Sequence, residues 1–342
     1  MLRLPPIELQ TPATVQEAAQ AIAQGNVRLV AGGTDLWPNM KRRHQKAEIV
    51  VSLMSIPGLD KIDAAGKDLH IGGTATLSNI IRDDTIRERF PGFARAVASI
   101  SSPPLRNMGT IGGNLCIDTR CTYYNQTEEW RRSIDYCLKE EGTICWVATK
   151  SPRCWAHSAS DSAPILCALG AKVKLVSVKG EREIPLAAMY VDDGIDYMTK
   201  RPDEILTEVL VPRTSDSSHC RSAFWKLRRR GSIDFSTMSV AAAVWMDDND
   251  VVTQASMFLG AVGAAPMSVA DIASVLVGKK ISEDAIKEIA HAAHKIAQPM
   301  DNTDFAASWR GKMTEQYATA ALREIAGLPQ QRMQPRHMLK VV

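Results

Sequence analysis

Leu29-Val-Ala-Gly-Gly-Thr-Asp-Leu36 is a short apolar run that passes directly into two glycines, a threonine and an aspartate. An apolar run of this length, bounded by glycine, is typical of a buried strand that ends in a tight turn. Glycine permits positive φ angles and a close approach of the backbone, so the N–H groups of such a turn can point at one anion. The stretch therefore predicts a strand followed by an anion-binding loop.

A second stretch, Leu105-Arg-Asn-Met-Gly-Thr-Ile-Gly-Gly-Asn114, has the same character, and a shorter turn, Gly72-Gly73-Thr74, follows a strand predicted at 68–71. Neither of the two longer stretches continues into the Gly-Lys-Ser/Thr of a P-loop, and neither has the spacing of the Rossmann fingerprint. A single Gly-Gly pair is compatible with a tight turn alone. The two longer stretches together predict a cradle for a pyrophosphate.

The segments around these turns alternate between helix and strand patterns. Thr14 and Glu17 form a capping box ahead of apolar residues at helical spacing. Strands are predicted at 28–31, 48–53 and 172–178, and a helix at 92–101. From about residue 179 we expect a separate α+β domain, with strands near 204–211, 223–227, 239–246 and 253–259 and helices near 268–277 and 282–297.

The composition limits what kind of protein this is. With 342 residues the chain is too long for one hydrophobic core, so two or three domains are expected. A net charge of +3 and the lack of a Lys- and Arg-rich tract argue against a nucleic-acid binder. The first residues lack the apolar core of a signal peptide, and no apolar run approaches the ~20 residues of a membrane span. We expect a soluble, cytoplasmic protein whose seven cysteines stay reduced.

Residues 119–157 break the regular pattern. They contain four cysteines, Cys121, Cys137, Cys145 and Cys154, at steps of 16, 8 and 9 residues. Four thiolates can close the shell of a 4Fe–4S cluster or of a structural zinc site, and the spacing lacks the Cys-x-x-Cys pairs of most zinc sites. Four unrelated buried cysteines are the remaining alternative. A segment without periodicity has little core of its own, so a bound metal would supply the missing stabilisation.

The two glycine-rich stretches, together with Phe224-Trp-Lys-Leu-Arg-Arg-Arg-Gly-Ser-Ile-Asp-Phe-Ser236, resemble the flavoprotein family of xanthine dehydrogenase and CO dehydrogenase from about residue 5 to 330. The resemblance implies an α+β fold: a two-lobed FAD-binding domain of the vanillyl-alcohol oxidase and CO dehydrogenase flavoprotein type, followed by a C-terminal α+β domain. The implied FAD-binding domain covers 1–178, with subdomains at about 1–55 and 56–178 and an insert at about 119–157. The C-terminal domain covers 179–330, and 331–342 form a tail.

The resemblance also implies a set of FAD contacts. Backbone amides of Ala31 to Asp35 would hold the pyrophosphate, Asp161 would contact the ribose, and Lys226 would lie at the polar edge of the isoalloxazine, where a cation stabilises a reduced flavin. For Lys226 the alternative is a solvent-facing strand residue. The full implied set is Leu29, Val30, Ala31, Gly32, Gly33, Thr34, Asp35 and Leu36, then Thr110, Gly113 and Asn114 completing the cradle, Asp161, Ile205 and Leu206 beside the isoalloxazine, and Lys226.

The insert is similar to the cluster-binding loop of the 4-hydroxybenzoyl-CoA reductases within this family, on the cysteine spacing, on Tyr124-Asn-Gln-Thr127 and on Trp130-Arg-Arg132. Asn114 and Asp161, which most relatives hold a short distance apart, are here 47 positions apart (161 − 114). The resemblance implies that Cys121, Cys137, Cys145 and Cys154 ligate one 4Fe–4S cluster. The other three cysteines are interpreted as buried small apolar residues: Cys116, Cys167 and Cys220.

The same resemblance implies an electron-transfer subunit without catalytic residues of its own. Reduced ferredoxin would supply electrons to a complex with a molybdenum cofactor-binding large subunit and a 2Fe–2S small subunit, duplicated into a heterohexamer. The complex would remove the phenolic hydroxyl of 4-hydroxybenzoyl-CoA in aromatic degradation. The alternatives are an oxidative molybdenum hydroxylase that passes electrons to NAD or a quinone, a flavin oxidase that binds its own substrate, and a non-redox scaffold with a zinc site.

Overall fold

The computed structural model describes residues 2–213 and 219–330. Its N-terminal lobe is a small parallel sheet of three strands, β1 (Glu8–Gln10), β2 (Val27–Val30) and β3 (Ile49–Ser52), in the order β1-β3-β2. Helices α1 (Val15–Ile22) and α2 (Leu36–Lys41) connect these strands. The predicted cap of α1 is confirmed, because the Glu17 N–H donates to the Thr14 hydroxyl at 3.1 Å.

The second lobe contains an antiparallel sheet of five strands, in the order β4-β5-β8-β6-β7. The strands are β4 (Ile62–Asp63), β5 (Asp68–Gly72), β6 (Lys172–Ser177), β7 (Gly180–Pro185) and β8 (Ile205–Pro212). The domain boundary expected between residues 178 and 179 falls in the turn between β6 and β7. Since β8 lies between β5 and β6, the sheet of the first domain continues to residue 212. Strand patterns alone do not tell which sheet a strand joins.

Short helices cover this sheet and carry the second glycine-rich stretch. Phe90, Phe93, Ile111 and Leu166 are fully or almost fully buried in the core between the helices and the sheet, which explains the apolar faces of the helices that hold them. The helices are α3 (Leu77–Arg82), α4 (Asp84–Arg89), α5 (Pro91–Ala98), α6 (Pro103–Arg106), α7 (Ile111–Leu115) and α9 (Ser162–Ala168), and a 3-10 turn spans Leu186–Met189. Helix α8 (Glu128–Ser133) lies in the segment that contains the four cysteines.

The C-terminal domain is an antiparallel sheet of four strands with helices packed on one face, in the order β12-β11-β10-β9. Every residue of β10 is buried, since α12 covers one face and α9 of the first domain covers the other. The elements are β9 (Cys220–Leu227), β10 (Met238–Met246), β11 (Val252–Gly260), β12 (Met267–Ser268), α10 (Asp271–Leu276), α11 (Glu283–Ile296) and α12 (Ala307–Ile325).

The longest helix, α12, was not predicted from the sequence. It begins without a side-chain cap, and it buries Arg310 and Thr314 on its inner face, so its apolar stripe is interrupted. The predicted tail, 331–342, lies outside the described residues. Within the described ranges, no helix combines the length and the apolar character that crossing a membrane requires. The mixed helix and sheet content, in a two-lobed domain followed by a C-terminal domain, confirms the expected α+β class.

Candidate functional site

Both long glycine-rich stretches line one cleft between the two lobes, here called the glycine cleft, with a volume of about 960 Å³. Residues 29–36 form one wall, and Gly109, Thr110, Gly113 and Asn114 form part of another. The sequence-predicted residues of the two stretches are thus brought together. A cleft of this size is at the upper end of the range seen for small-molecule and cofactor sites.

The first loop offers unpaired backbone donors to this cleft. None of the N–H groups of residues 32–35 donates a hydrogen bond to another group within the described part of the chain. Gly33 has a φ of +70°, and a Cβ added there would lie 2.1 Å from the Trp37 indole nitrogen. A Cβ on Gly32 would lie 1.6 Å from the Met108 carbonyl oxygen, so the two loops touch through a position that only glycine can occupy. Consecutive free N–H groups are the arrangement that a pyrophosphate requires.

In the second loop, Gly113 and Asn114 already form hydrogen bonds within the protein. The Thr110 hydroxyl caps α7 by accepting from the Gly113 N–H at 3.2 Å. The Asn114 amide oxygen accepts from the Ser160 hydroxyl at 2.9 Å and from the Ser162 hydroxyl at 2.5 Å. These bonds fix the backbone on both sides of Asp161, which lines the cleft.

Asp161 forms a buried ion pair with Lys226. The Lys226 Nζ lies 2.6 Å from Asp161 Oδ2, and each side chain is only 4 % exposed. Burial raises the pKa of Asp161, and the neighbouring Lys226 ammonium opposes that rise. Lys226 also donates to the carbonyls of Ser99 and Asp234. The second carboxylate oxygen of Asp161 is buried and has no partner among the described residues, so it can accept a hydrogen bond from a ligand in the cleft.

The remaining predicted FAD residues differ in where they lie. Leu206 lines the glycine cleft. Ile205 is fully buried in the core of the first lobe, where it packs with α1, and is absent from the cleft wall. Lys226 approaches the cleft through Asp161 and does not itself form its wall. Successive residues of a strand face opposite sides, which explains why Leu206 lines the cleft and its neighbour Ile205 does not.

Several residues of the cleft carried no signal in the sequence. Arg120 forms an ion pair with Asp35, donates to Asn39 Oδ1 at 3.3 Å and lies over the Phe235 ring at 4.7 Å. Burial raises the pKa of Asp35, and the Arg120 guanidinium opposes that rise. His44 also lines the cleft, and burial lowers its pKa to about 4. These contacts join distant parts of the chain, which periodicity does not reveal.

The four cysteines of the insert, Cys121, Cys137, Cys145 and Cys154, line a second, small cavity of about 10 Å³, here called the cysteine cavity. All four side chains are buried. The rest of the wall is mainly apolar and aromatic: Tyr123, Tyr124, Leu138, Lys139, Trp146, Val147 and Ala156. Residues 119–157 therefore place the four thiols around one small cavity, although the insert has little regular structure beyond α8.

The thiols do not converge on a single ion. Within the two described ranges, no three His, Cys, Asp or Glu side chains are arranged to hold one metal ion. In a 4Fe–4S site with four cysteine ligands, the thiolates surround a group of four irons and need not meet at one atom. Burial raises the pKa of Cys121 to about 11, and a hydrogen bond from Cys154 lowers the pKa of Cys145. The described residues thus offer no site for a single ion here, and the four buried thiols are of the ligand type that an iron–sulfur cluster uses.

The insert is tied to the rest of the fold at both ends. Arg120 and His157 pair as antiparallel backbone, with N–H to carbonyl distances of 2.9 and 2.8 Å. Asn302 of the C-terminal domain accepts from the Thr122 N–H at 2.8 Å and donates to the Trp155 carbonyl at 2.6 Å. Tyr124 and Lys139 line both the cysteine cavity and the glycine cleft. The two cavities are therefore neighbours that share a wall.

Comparison with known proteins agrees with this architecture. The family model described as the FAD binding domain in molybdopterin dehydrogenase matches residues 5–214, and that of the CO dehydrogenase flavoprotein C-terminal domain matches residues 222–325. The nicotinate dehydrogenase FAD-subunit of Eubacterium barkeri is 28% identical over 86% of this chain and 87% of its own length. The aldehyde oxidoreductase FAD-binding subunit of Escherichia coli is 30% identical over 70% of this chain and 76% of its own length.

A solved structure of carbon monoxide dehydrogenase from Hydrogenophaga pseudoflava has the same fold, with a TM-score of 0.76, 23% identity, and coverage of 94% of this chain and 97% of that chain. The first family model alone covers more than half of the sequence. The chain belongs to the family of FAD-binding medium subunits of the xanthine dehydrogenase and CO dehydrogenase molybdenum enzymes, and is an oxidoreductase subunit of that family.

Proposed function

We propose that this chain is the FAD- and 4Fe–4S-containing electron-transfer subunit of a molybdenum enzyme that reductively dehydroxylates 4-hydroxybenzoyl-CoA to benzoyl-CoA, with ferredoxin as electron donor. The observation that carries the proposal is the cysteine cavity, which brings four thiols together beside the glycine cleft. A flavoprotein subunit that needed only FAD would have no use for this arrangement.

The glycine cleft holds FAD in this proposal. The free N–H groups of residues 32–35 bind the pyrophosphate, and the unpartnered oxygen of Asp161 accepts from a ribose hydroxyl. Leu206 packs near the isoalloxazine, and the Lys226 ammonium keeps Asp161 in place. FAD, when bound, supplies a redox centre that accepts and releases electrons singly or in pairs. The second loop forms part of the cleft wall and donates few hydrogen bonds to FAD in this proposal, since Gly113 and Asn114 already form hydrogen bonds within the protein.

The cysteine cavity holds the cluster. Cys121, Cys137, Cys145 and Cys154 provide one thiolate to each iron, and the aromatic wall excludes water. A 4Fe–4S cluster, when bound, exchanges single electrons. Because Tyr124 and Lys139 contribute to the walls of both cavities, a cluster held by the four cysteines and a flavin held in the glycine cleft would be neighbours.

Partner subunits complete the reaction in this proposal. The molybdenum cofactor lies on a large subunit and the 2Fe–2S centres on a small one, and the assembly is duplicated into a heterohexamer. The relatives from Hydrogenophaga pseudoflava and Afipia carboxidovorans are named as medium chains, which supports a multi-subunit enzyme. The proposed reaction consumes two electrons and two protons, breaks the aryl C–O bond and releases water.

An oxidative enzyme is the second candidate, since several relatives are named as dehydrogenase subunits. The nicotinate dehydrogenase and caffeine dehydrogenase subunits match most of this chain. In such an enzyme the flavin would pass electrons from an oxidised substrate to NAD or a quinone. The cysteine cavity argues for the reductive direction, because a cluster beside the flavin gives a one-electron donor a point of entry.

The test is to purify the complex anaerobically through a tag on this chain. We expect one FAD and about four additional irons per copy of this chain, beyond those of the 2Fe–2S subunit. Reduced ferredoxin should drive conversion of 4-hydroxybenzoyl-CoA to benzoyl-CoA. Substrate oxidation with NAD or a quinone, and none of the reductive reaction, would establish the second candidate instead. Zinc in place of the additional iron would refute the cluster.

A further inference from the structure

Lys139 lies at the boundary between the cysteine cavity and the glycine cleft, because it lines both. Its Nζ donates to Asp118 Oδ1 at 2.7 Å, to Thr119 Oγ1 at 2.7 Å and to the Gly194 carbonyl at 2.6 Å. Only 6 % of the side chain is exposed. Three short hydrogen bonds therefore fix the ammonium in a place where water screens it poorly.

Gly194 links this ammonium to the cysteine cavity. A Cβ added to Gly194 would lie 2.6 Å from Cys154 Sγ, so the glycine backbone packs directly against that thiol. The Gly194 N–H donates to the Cys154 carbonyl at 3.0 Å, and its carbonyl accepts from Lys139. Gly194 thus lies between the Lys139 ammonium and Cys154, one of the proposed cluster ligands.

Asp118, the partner of Lys139, lies toward the other cavity. Its side chain contributes to the wall of the glycine cleft, whereas the described wall of the cysteine cavity contains Lys139 without Asp118. In a region of low dielectric constant the nearer charge acts more strongly. Lys139 is therefore the member of the pair that borders the cysteine cavity.

We propose that Lys139 is a positioning residue whose fixed ammonium raises the reduction potential of the cluster held by the four cysteines, an inference that rests on the proposed function. Reduction adds one electron, and hence one negative charge, to the cluster. A cation held nearby stabilises the reduced form more than the oxidised form. Asp118 opposes this effect from a greater distance, so the two residues together set the potential.

The test is potentiometry of the anaerobic complex, monitored by EPR for the cluster. Lys139→Met should move the midpoint potential to a more negative value, and Asp118→Asn should move it to a more positive value. The double variant should lie between the two. Potential shifts of opposite sign in the two single variants would identify an effect of charge. A general loosening of the cavity wall would shift both potentials in the same direction. Lys139→Arg, which keeps the charge, should remain closest to the wild-type protein.

Lys46→Met is the matched control, because Lys46 also contacts the insert, through Glu141 at 3.4 Å, but is 72 % exposed. Its potential should equal that of the wild-type complex. An iron-loaded Lys139→Met variant with an unchanged potential would overturn this inference and leave the proposed function intact. If that variant loses its cluster, Asp118→Asn decides alone, and an unchanged or more negative potential overturns the inference. A wild-type complex without the additional iron would overturn the proposed function, and this inference with it.

Discussion

The amide oxygen of Asn114 accepts a hydrogen bond of 2.5 Å from the Ser162 hydroxyl, although 48 residues separate the two in the sequence. The Ser160 hydroxyl donates to the same oxygen. These bonds join the segments that precede and follow the insert, and they hold Asp161 at the glycine cleft. The insert therefore adds a second cavity without displacing the residues expected to bind FAD.

Asn114→Ala should weaken FAD binding. The change leaves the buried hydroxyls of Ser160 and Ser162 without their acceptor, at a cost of about 1–3 kcal/mol, and frees the backbone around Asp161. Flavin content after gel filtration and the free energy of unfolding in urea would measure both effects. Asn107→Ala is a matched control, because Asn107 accepts from the Ser78 hydroxyl at 2.6 Å on the exposed surface. Equal flavin retention in both variants would contradict the role given to Asn114.

Gly32→Ala should empty the flavin site, because the new Cβ would overlap the Met108 carbonyl and force the two glycine-rich loops apart. We expect a loss of about 1–3 kcal/mol in stability together with loss of flavin. Gly25→Ala is the control: Gly25 has a φ of +82° but nothing within 4 Å of the added Cβ. That variant should lose stability through backbone strain alone and keep its FAD. Full flavin occupancy in Gly32→Ala would show that the loop contact is dispensable.

Changing Cys121, Cys137, Cys145 or Cys154 to serine should remove the additional iron and leave the flavin largely bound. The reason is that the proposed cluster needs all four thiolates, whereas the cleft residues that face FAD come mainly from other segments. Iron analysis, EPR and the flavin absorbance would be measured together. Alanine at the other three cysteines, Cys116, Cys167 and Cys220, should cost on the order of 1 kcal/mol and no iron. Iron retained after two of the four serine changes would refute the assignment.

Asp161→Ala should destabilise the flavin-free protein by about 3–5 kcal/mol, because Lys226 would be left as an uncompensated buried charge. Adding Lys226→Met to this variant should recover much of the loss. Glu141→Ala removes the exposed pair with Lys46 and should cost less than about 1 kcal/mol. Urea denaturation of the four proteins would check these values. Similar losses for the buried and the exposed pair would argue against the burial of Asp161.

His157 should make the protein less stable in mild acid. Burial lowers its pKa from 6.5 to about 4, so the unfolded chain binds a proton at a higher pH than the folded chain does. The stability from this group is present above pH 6.5 and is lost as the pH falls from 6.5 toward 4. Between pH 7.5 and 5.5 we expect a loss of about 1 kcal/mol that His157→Gln abolishes. His291→Gln, at an exposed position, should leave the pH dependence unchanged.

Sequence patterns correctly predicted the helices and strands whose bounds depend on neighbouring residues in the chain. The capping box of α1, the strand β5 and the strands β9 to β11 follow from side-chain spacing and turn residues, and they appear within a few residues of the expected bounds. The α+β class followed from the resemblance of the two glycine-rich stretches to the flavoprotein family. The structure gives a reason for one of these glycines, since a Cβ on Gly32 would overlap the Met108 carbonyl.

What the sequence did not reveal depends on contacts between distant segments. Arg310 is fully buried and donates to the carbonyls of Thr237 and Met300, yet in the sequence it resembles an exposed polar residue, and this concealed α12. Lys139 gave no signal for the same reason. Its role follows from Asp118 and Gly194, which come from outside the insert. The FAD and cluster ligands remain predictions at the level of individual residues.

The backbone pairing of Arg120 with His157 has a consequence for how such a chain could arise. Because residues 121–156 leave and rejoin the fold at one point, their acquisition needs no rearrangement of the surrounding sheet. A relative that lacks the segment could accept it as a single cassette between two positions already in contact. Transplanting 121–156, together with Asn302 as the distant anchor, would therefore show whether the proposed cluster site can be added to a flavoprotein that lacks it.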